Sequence, residues 1–110
     1  MNILIIEDEI NALEYLRSML KKIDPSVKIL AHIDSVEDSV NWLHQHEQPE
    51  LIFMDIQLAD GLCFEIFNYV EVNSPIIFTT AFDQYAIEAF KVNSIDYLLK
   101  HIIPEDLRKA

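Results

Sequence analysis

Short apolar runs alternate along this chain with longer segments in which apolar residues recur every three or four positions. The runs are rich in residues that favour strands and lie at about 2–6, 27–33, 50–54, 75–79 and 95–99. They predict buried strands, and the segments between them predict amphipathic helices. Alternating strands and helices in turn predict an α/β domain, in which a parallel sheet carries helices on both faces.

The ends of the first two expected helices are marked by particular residues. The first helix ends at Asp24, because Pro25 disfavours helical geometry in the residue before it. Ser35 is the expected N-cap of the second helix, with Asp38 three residues later. The apolar face expected on the first helix consists of Ile10, Leu13, Leu16, Met19, Leu20 and Ile23.

Three further helices are expected in the second half of the chain. The third runs from about Leu62 to Val70 and the fourth from about Gln84 to Val92. A fifth begins near Pro104, a residue that suits the first turn of a helix. Because the sequence stops at Ala110, we expect this last helix to be truncated here and the protein to continue beyond it.

Composition limits the classes of function. A chain of 110 residues is expected to form one domain with a single core. Its net charge of -11 would repel nucleic acid and anionic membrane surfaces. The single Cys63 allows no internal disulfide, no leader-like segment precedes the first strand, and the apolar runs are too short to span a bilayer. We therefore expect a cytoplasmic protein that binds neither nucleic acid nor membranes through this chain.

Four of the expected strands end in polar residues suited to handling phosphate. These residues are Glu7, Asp8, Asp55, Thr80 and Lys100. Open parallel sheets bind ligands in the crevice outside the carboxyl ends of their strands. The sequence therefore places the candidate site at one edge of the sheet.

The residue types at this edge suit phosphoryl chemistry. Asp55 ends an apolar strand and is a candidate nucleophile, although Asp is also a common first loop residue. If the first and third strands are neighbours, Glu7 and Asp8 lie beside it, and three carboxylates suit Mg²⁺. The same acids also favour the dipole of the first helix. Lys100 offers an ammonium group and Thr80 a hydroxyl group to a phosphoryl oxygen.

Four motifs in this order and spacing resemble one known family, the receiver domain of bacterial two-component response regulators. The motifs are Ile5–Glu9, Met54–Gly61, Phe78–Ala81 and Asp96–Lys100. The resemblance spans essentially residues 1–110 and implies a flavodoxin-like, doubly wound, five-stranded parallel sheet in three α/β/α layers. The stretch 81–100 looks most like receivers of the LytTR type, which implies a C-terminal effector domain, DNA-binding in character, beyond this chain.

The resemblance also implies roles for individual residues. Asp55 would accept a phosphoryl group from a phosphohistidine of a sensor histidine kinase. Asp8 and Asp55 would bind Mg²⁺ directly, Glu7 would act through water, and Gln57 would contribute its backbone carbonyl. Lys100 would pair with a phosphoryl oxygen. Such a chain is a phosphoacceptor that assists its own phosphorylation and dephosphorylation rather than an enzyme.

Signalling in this family depends on a switch, which the resemblance assigns to two residues. Thr80 would turn toward the phosphoryl group and Tyr97 would turn inward, altering the face made by the fourth helix, fifth strand and fifth helix. Phosphorylation would thus shift a pre-existing equilibrium and could produce a homodimer.

Three residues depart from the family pattern or tune it, and they affect the expected chemistry. His101 replaces the usual proline, so the Lys100–His101 bond is expected to be trans. Phe82 could cover the phosphoryl site and Gln57 is not a strong base, so we expect slow self-dephosphorylation.

Three alternatives remain open at the level of sequence. A phosphatase with an aspartyl nucleophile would need a second Asp where Gln57 stands. A flavodoxin-like nucleotide or flavin binder would need a glycine- and hydroxyl-rich loop where the acids at 7–9 stand. A degenerate receiver would act as an interaction module independent of phosphorylation.

Overall fold

The computed structural model describes residues 1–80 and 94–99, and for Thr80 and residues 94–99 it describes the backbone alone. The elements follow the chain in the order β1 (Asn2–Ile6), α1 (Ile10–Ile23), β2 (Lys28–Ile33), α2 (Val36–Gln45), β3 (Leu51–Asp55), β4 (Gln57–Leu58), β5 (Gly61–Leu62), a 3-10 helix (Cys63–Asn68), β6 (Ile76–Thr80) and β7 (Ser94–Leu99). Within the described ranges no helix is both long and apolar enough to cross a membrane.

Five strands of the described residues form one parallel sheet in the order β2-β1-β3-β6-β7. Each of these strands lies within about a residue of its predicted position. The chain moves outward from β1 to one edge and then back across β1 to the other, which is the doubly wound arrangement. The predicted parallel sheet is confirmed.

Alternate strand residues point to opposite faces of the sheet, so the core has two halves. On one face, Ile3, Ile5 and Phe53 pack against the buried side of α1. On the other face, Leu4 and Met54 belong to the cluster that includes residues of α2 and of the 3-10 helix. Helices therefore cover both faces, as the alternation of elements predicted.

The helix caps were predicted more accurately than the helix faces. Ser35 is the N-cap of α2, and its hydroxyl accepts a hydrogen bond from the Asp38 N–H at 3.1 Å. The C-cap of α1 is Asp24, directly before Pro25. The prediction that Ile10 belongs to the buried face of α1 was wrong, because this first-turn residue is 72% exposed.

The third predicted helix is also different in the structure. The chain from Gln57 to Leu62 forms a short antiparallel hairpin, and only Cys63–Asn68 is helical, as a 3-10 helix rather than an α-helix. Leu62, where the sequence places the start of the helix, is the last residue of this hairpin. The helices predicted at 84–92 and from Pro104 onward, including the truncation of the last one, lie outside the described residues, as does the Lys100–His101 bond.

Candidate functional site

Strand register places two of the predicted site residues opposite each other. β1 and β3 are parallel neighbours, and Ile6 pairs with Met54. Glu7 follows Ile6, and Asp55 follows Met54. Both acids therefore lie at the carboxyl end of the sheet. The prediction that the first and third strands are adjacent is confirmed, and with it the reason for expecting their acids together.

Glu7, Asp8 and Asp55 form one cluster of carboxylates. One oxygen from each side chain can be chosen so that all three atoms lie within 4.8 Å of one another. Glu7 is 5% exposed and Asp55 is 2% exposed, whereas Asp8 is exposed to solvent. The cluster thus reaches from the edge of the core to the surface, where a ligand can approach it.

Backbone hydrogen bonds fix the segments that carry the cluster. The Glu7 N–H donates to the Ile33 carbonyl at 2.8 Å, which extends the pairing between β1 and β2 by one residue. The Glu7 carboxylate accepts the Glu9 N–H at 3.3 Å, at the start of α1. Beside Asp55, the Ile56 N–H donates to the Thr79 carbonyl at 3.2 Å. Glu7 and Asp55 are therefore held at the edge of the sheet, and Asp8 follows in the short connection to α1.

The donor set of this cluster fits a hard divalent cation. Carboxylate oxygens are ligands that Mg²⁺ and Ca²⁺ prefer, and Mg²⁺ in particular uses one or two carboxylates together with water and substrate phosphate. Three carboxylates so close together repel one another, and a cation would offset that repulsion. The exposed Asp8 leaves a solvent-facing side for water or phosphate ligands.

Gln57 lies two residues after Asp55, in the first strand of the hairpin, and its side chain is exposed. β4 and β5 pair through Gln57 with Leu62 and through Leu58 with Gly61. The Gln57 backbone is therefore held in the hairpin, one residue beyond the strand that ends in Asp55.

Asp60 also lies in this region, although the sequence alone predicted no role for it. Its carboxylate accepts the Val36 N–H at 2.6 Å and the Glu37 N–H at 3.1 Å, both in the first turn of α2. The hydrogen bond from Val36 is the main reason that the pKa of Asp60 lies below its usual range. The Asp60-Gly61 dipeptide is a hairpin signal that could have revealed the turn. A contact across 24 residues gives no local signal.

The remaining predicted site residues are only partly described. The backbone of Thr80 ends β6, next to Thr79, which pairs with Asp55. The backbone of Tyr97 lies in β7 and pairs with Phe78. Lys100 and Phe82 lie outside the described residues.

Comparison with known proteins agrees with this fold. The model of the family described as response regulator receiver domain matches residues 3–110. The sensory transduction protein LytT of Bacillus cereus is 41% identical over 103 residues, which are 91% of this chain and 41% of LytT. The transcriptional regulatory protein BtsR of Salmonella typhi is 36% identical over 98% of this chain and 45% of BtsR.

A solved structure extends the agreement to three dimensions. The response regulatory domain of protein mrkE from Klebsiella pneumoniae has a TM-score of 0.83 and 28% identity, and the match covers 99% of this chain and 90% of that domain. This chain spans less than half the length of LytT and BtsR. The family match over nearly the whole sequence, the doubly wound sheet and the acids at its carboxyl edge lead to one conclusion: the chain belongs to the receiver domains of two-component response regulators.

Proposed function

We propose that Asp55 accepts a phosphoryl group from a phosphohistidine of a sensor histidine kinase, in a reaction that depends on Mg²⁺. The observation that carries this proposal is the position of Asp55, which is 2% exposed and shares a 4.8 Å cluster with Glu7 and Asp8. The strand fixes the direction of the Asp55 carboxylate, and the exposed Asp8 marks the side from which a phosphodonor can approach. A nucleophile held in this way has a much smaller entropic cost of reaction.

The acids of the cluster divide the binding of Mg²⁺ between them. Asp8 and Asp55 would hold the ion directly, Glu7 would hold it through water, and the Gln57 backbone carbonyl would complete the protein's share of ligands. Bound Mg²⁺ supplies charge neutralisation for the phosphoryl oxygens.

The transfer itself needs little further chemistry from the protein. A carboxylate oxygen of Asp55 forms a bond to phosphorus while the bond from phosphorus to the histidine nitrogen breaks. The imidazole leaves with that electron pair and is neutral, because its other nitrogen carries a proton. Lys100 would pair with one phosphoryl oxygen and Thr80 would donate a hydrogen bond to another, so that catalysis consists of positioning and charge stabilisation.

Phosphorylation would change the conformation of the part of the domain that contains β6 and β7. Thr80 would move toward the phosphoryl group and Tyr97 would turn inward, which shifts the population toward the signalling conformation. Adjacent backbones in β6 and β7 provide a short route between these two residues. We propose that the resulting surface controls a DNA-binding effector domain in the cytoplasm, in part by dimerisation, in line with the similarity to LytT and BtsR.

Incubation with acetyl phosphate or beryllofluoride in Mg²⁺ tests the proposal. Intact mass should rise by one phosphoryl group with acetyl phosphate, and amide NMR signals around Asp55 should shift with beryllofluoride. Asp55→Asn should abolish both responses, whereas Asp34→Asn, which removes a carboxylate just after β2 at the same sheet edge, should preserve them. An unmodified wild-type protein would contradict the proposal and favour a phosphorylation-independent interaction module. Sustained turnover of a phosphomonoester, lost in Asp55→Asn, would indicate a hydrolase instead.

A further inference from the structure

We infer that Asp60 is a positioning residue for the metal site, because it fastens the hairpin that follows Asp55 to the first turn of α2. The inference rests on the proposed function, since it concerns the Gln57 carbonyl as a ligand of Mg²⁺. It adds a residue that touches neither the ion nor the phosphoryl group. We call the two hydrogen bonds from α2 to the Asp60 carboxylate the Asp60–α2 contact.

The Asp60–α2 contact joins two parts of the chain that are 24 residues apart in sequence. Its hydrogen bonds come from the N–H groups of Val36 and Glu37, at 2.6 and 3.1 Å. A third hydrogen bond joins the same segments through the backbone, from the Ala59 N–H to the Asp34 carbonyl at 3.3 Å. The turn of the hairpin is therefore attached to the β2–α2 connection at three points.

The chemistry of the contact favours an ionised carboxylate. N–H groups in the first turn of a helix have no partner within the helix and lie at the positive end of its dipole. A carboxylate that accepts them forms charge-assisted hydrogen bonds, which are stronger than neutral ones. The pKa of Asp60 is lowered chiefly by the hydrogen bond from Val36, so the side chain is charged at neutral pH.

The hairpin that carries Gln57 is short. β4 has two residues, Gln57 and Leu58, and pairs with an equally short β5. At the open end of the hairpin, the Cys63 N–H donates to the carbonyl of Ile56, the residue before Gln57, at 2.7 Å, and the Leu62 N–H donates to the Glu65 carboxylate at 3.1 Å. These bonds fix the base of the hairpin, whereas the Asp60–α2 contact fixes its turn. The position of the Gln57 backbone depends on both.

A simpler role for Asp60 would be to stabilise α2 as a helix cap. Ser35 provides a matched control, because its hydroxyl accepts the Asp38 N–H in the same helical turn without contacting the hairpin. Loss of Ser35 should weaken α2 alone, whereas loss of Asp60 should weaken α2 and also release the turn that follows Gln57. The two variants therefore separate capping from positioning.

The experiment compares wild type, Asp60→Ala, Asp60→Asn and Ser35→Ala in two measurements. Amide hydrogen exchange of the metal-free proteins reports whether the hairpin opens, and titration with MgCl₂ followed by amide NMR shifts gives the Mg²⁺ dissociation constant. We expect Asp60→Ala to accelerate exchange in 57–62 and to weaken Mg²⁺ binding about tenfold, the lower end of what loss of an outer-shell partner costs. Ser35→Ala should change the dissociation constant less than twofold.

Asp60→Asn keeps an acceptor oxygen but loses the charge, so it should fall between wild type and Asp60→Ala and remain informative if the alanine variant folds poorly. Equal Mg²⁺ affinity in wild type and both Asp60 variants would overturn the inference while leaving the proposed function intact. Equal losses in Ser35→Ala and Asp60→Ala would reduce Asp60 to a helix cap. A wild-type protein that binds no Mg²⁺ would overturn the proposed function and the positioning role together.

Discussion

Glu7 and Asp55 directly follow the paired residues Ile6 and Met54 at the carboxyl ends of two neighbouring parallel strands, and both acidic side chains are buried. Adjacent strands in a sheet are about 4.8 Å apart, so this register brings the two acids together without any loop rearrangement. Asp8, one residue further along, adds a carboxylate at the surface. The sheet thus determines which acids meet, and solvent reaches them from one side.

Mg²⁺ should stabilise the folded protein through this cluster. A ligand that binds only the folded state at hundredfold excess over its dissociation constant adds about 2.7 kcal/mol to the free energy of unfolding. We expect thermal unfolding of wild type to shift upward in MgCl₂ relative to EDTA, and Asp8→Asn to lose most of that shift. Asp34→Asn is the control for a general effect of charge. An equal Mg²⁺-dependent shift in Asp8→Asn would show that the ion binds elsewhere.

Gly61, the one glycine of the sequence, has a φ of 152° and should not tolerate a side chain. A Cβ atom there would collide with the Glu65 carboxylate, which accepts the Leu62 N–H. We expect Gly61→Ala to lower the free energy of unfolding by about 1–3 kcal/mol, the usual cost of a strained backbone conformation. Urea unfolding would measure this loss.

A second substitution distinguishes two causes of the Gly61→Ala effect, the collision with Glu65 and the positive φ. If the collision with Glu65 dominates, Glu65→Ala should remove much of the loss in a double-mutant cycle. If the positive φ dominates, the two substitutions should be nearly additive. A Gly61→Ala protein as stable as wild type would contradict both reasons and the hairpin geometry with them.

Cys63 should be inert in the folded protein. The side chain is fully buried in the core half that also contains Ile66 and Phe78. Reaction with a thiol reagent requires the thiol to reach solvent. Labelling in native buffer should therefore be slower than in urea, by about the equilibrium constant for local opening of the structure around Cys63. Because the sequence has one cysteine, the absorbance change on labelling reports this residue alone. Rapid native labelling would mean that the 3-10 helix opens readily.

The sheet and the acid cluster were predictable because they depend on local apolar runs and on one general rule. Runs such as 2–6 and 50–54 are too short for helices and too apolar for loops. Once the strands are parallel, the residues that end them meet at one edge. The sequence therefore predicts that Glu7, Asp8 and Asp55 lie together, and in the structure they form a cluster within 4.8 Å.

The 3-10 helix and the exposure of Ile10 could not be predicted in the same way. Apolar residues spaced by three, such as Cys63 and Ile66, suit an α-helix and a 3-10 helix equally. Ile10 has the right periodicity for the buried face of α1, but it stands in the first turn of the helix and is largely exposed. The contact of Asp60 with Val36 depends on how two distant segments pack, which no local pattern encodes.

Acidification should weaken the Asp60–α2 contact in a defined direction. The pKa of Asp60 is lowered in the folded state, mainly by the hydrogen bond from the Val36 N–H, so its charged form is favoured by folding. A group with a depressed folded pKa contributes stability that is complete above its unfolded pKa, about 3.9, and is lost as the pH falls through the folded value. Glu37 and Glu65 line the same surface depression as Asp60, so a comparison of wild type with Asp60→Asn leaves these neighbouring acids unchanged.

The pH effect is therefore measured as a difference between wild type and Asp60→Asn in urea unfolding. The wild-type midpoint should exceed that of the variant at pH 6, and the gap should close as the pH approaches 3. Asp24 is a second carboxyl group with a lowered pKa, chiefly because it accepts a hydrogen bond from the Ser26 hydroxyl. Asp24→Asn is therefore a control that removes such a carboxylate away from the hairpin. Amide exchange in 57–62 should accelerate at low pH, after correction for intrinsic rates, in wild type and Asp24→Asn but less in Asp60→Asn. A gap in midpoint that stays constant from pH 6 to 3 would show that the charge of Asp60 does not contribute to the contact.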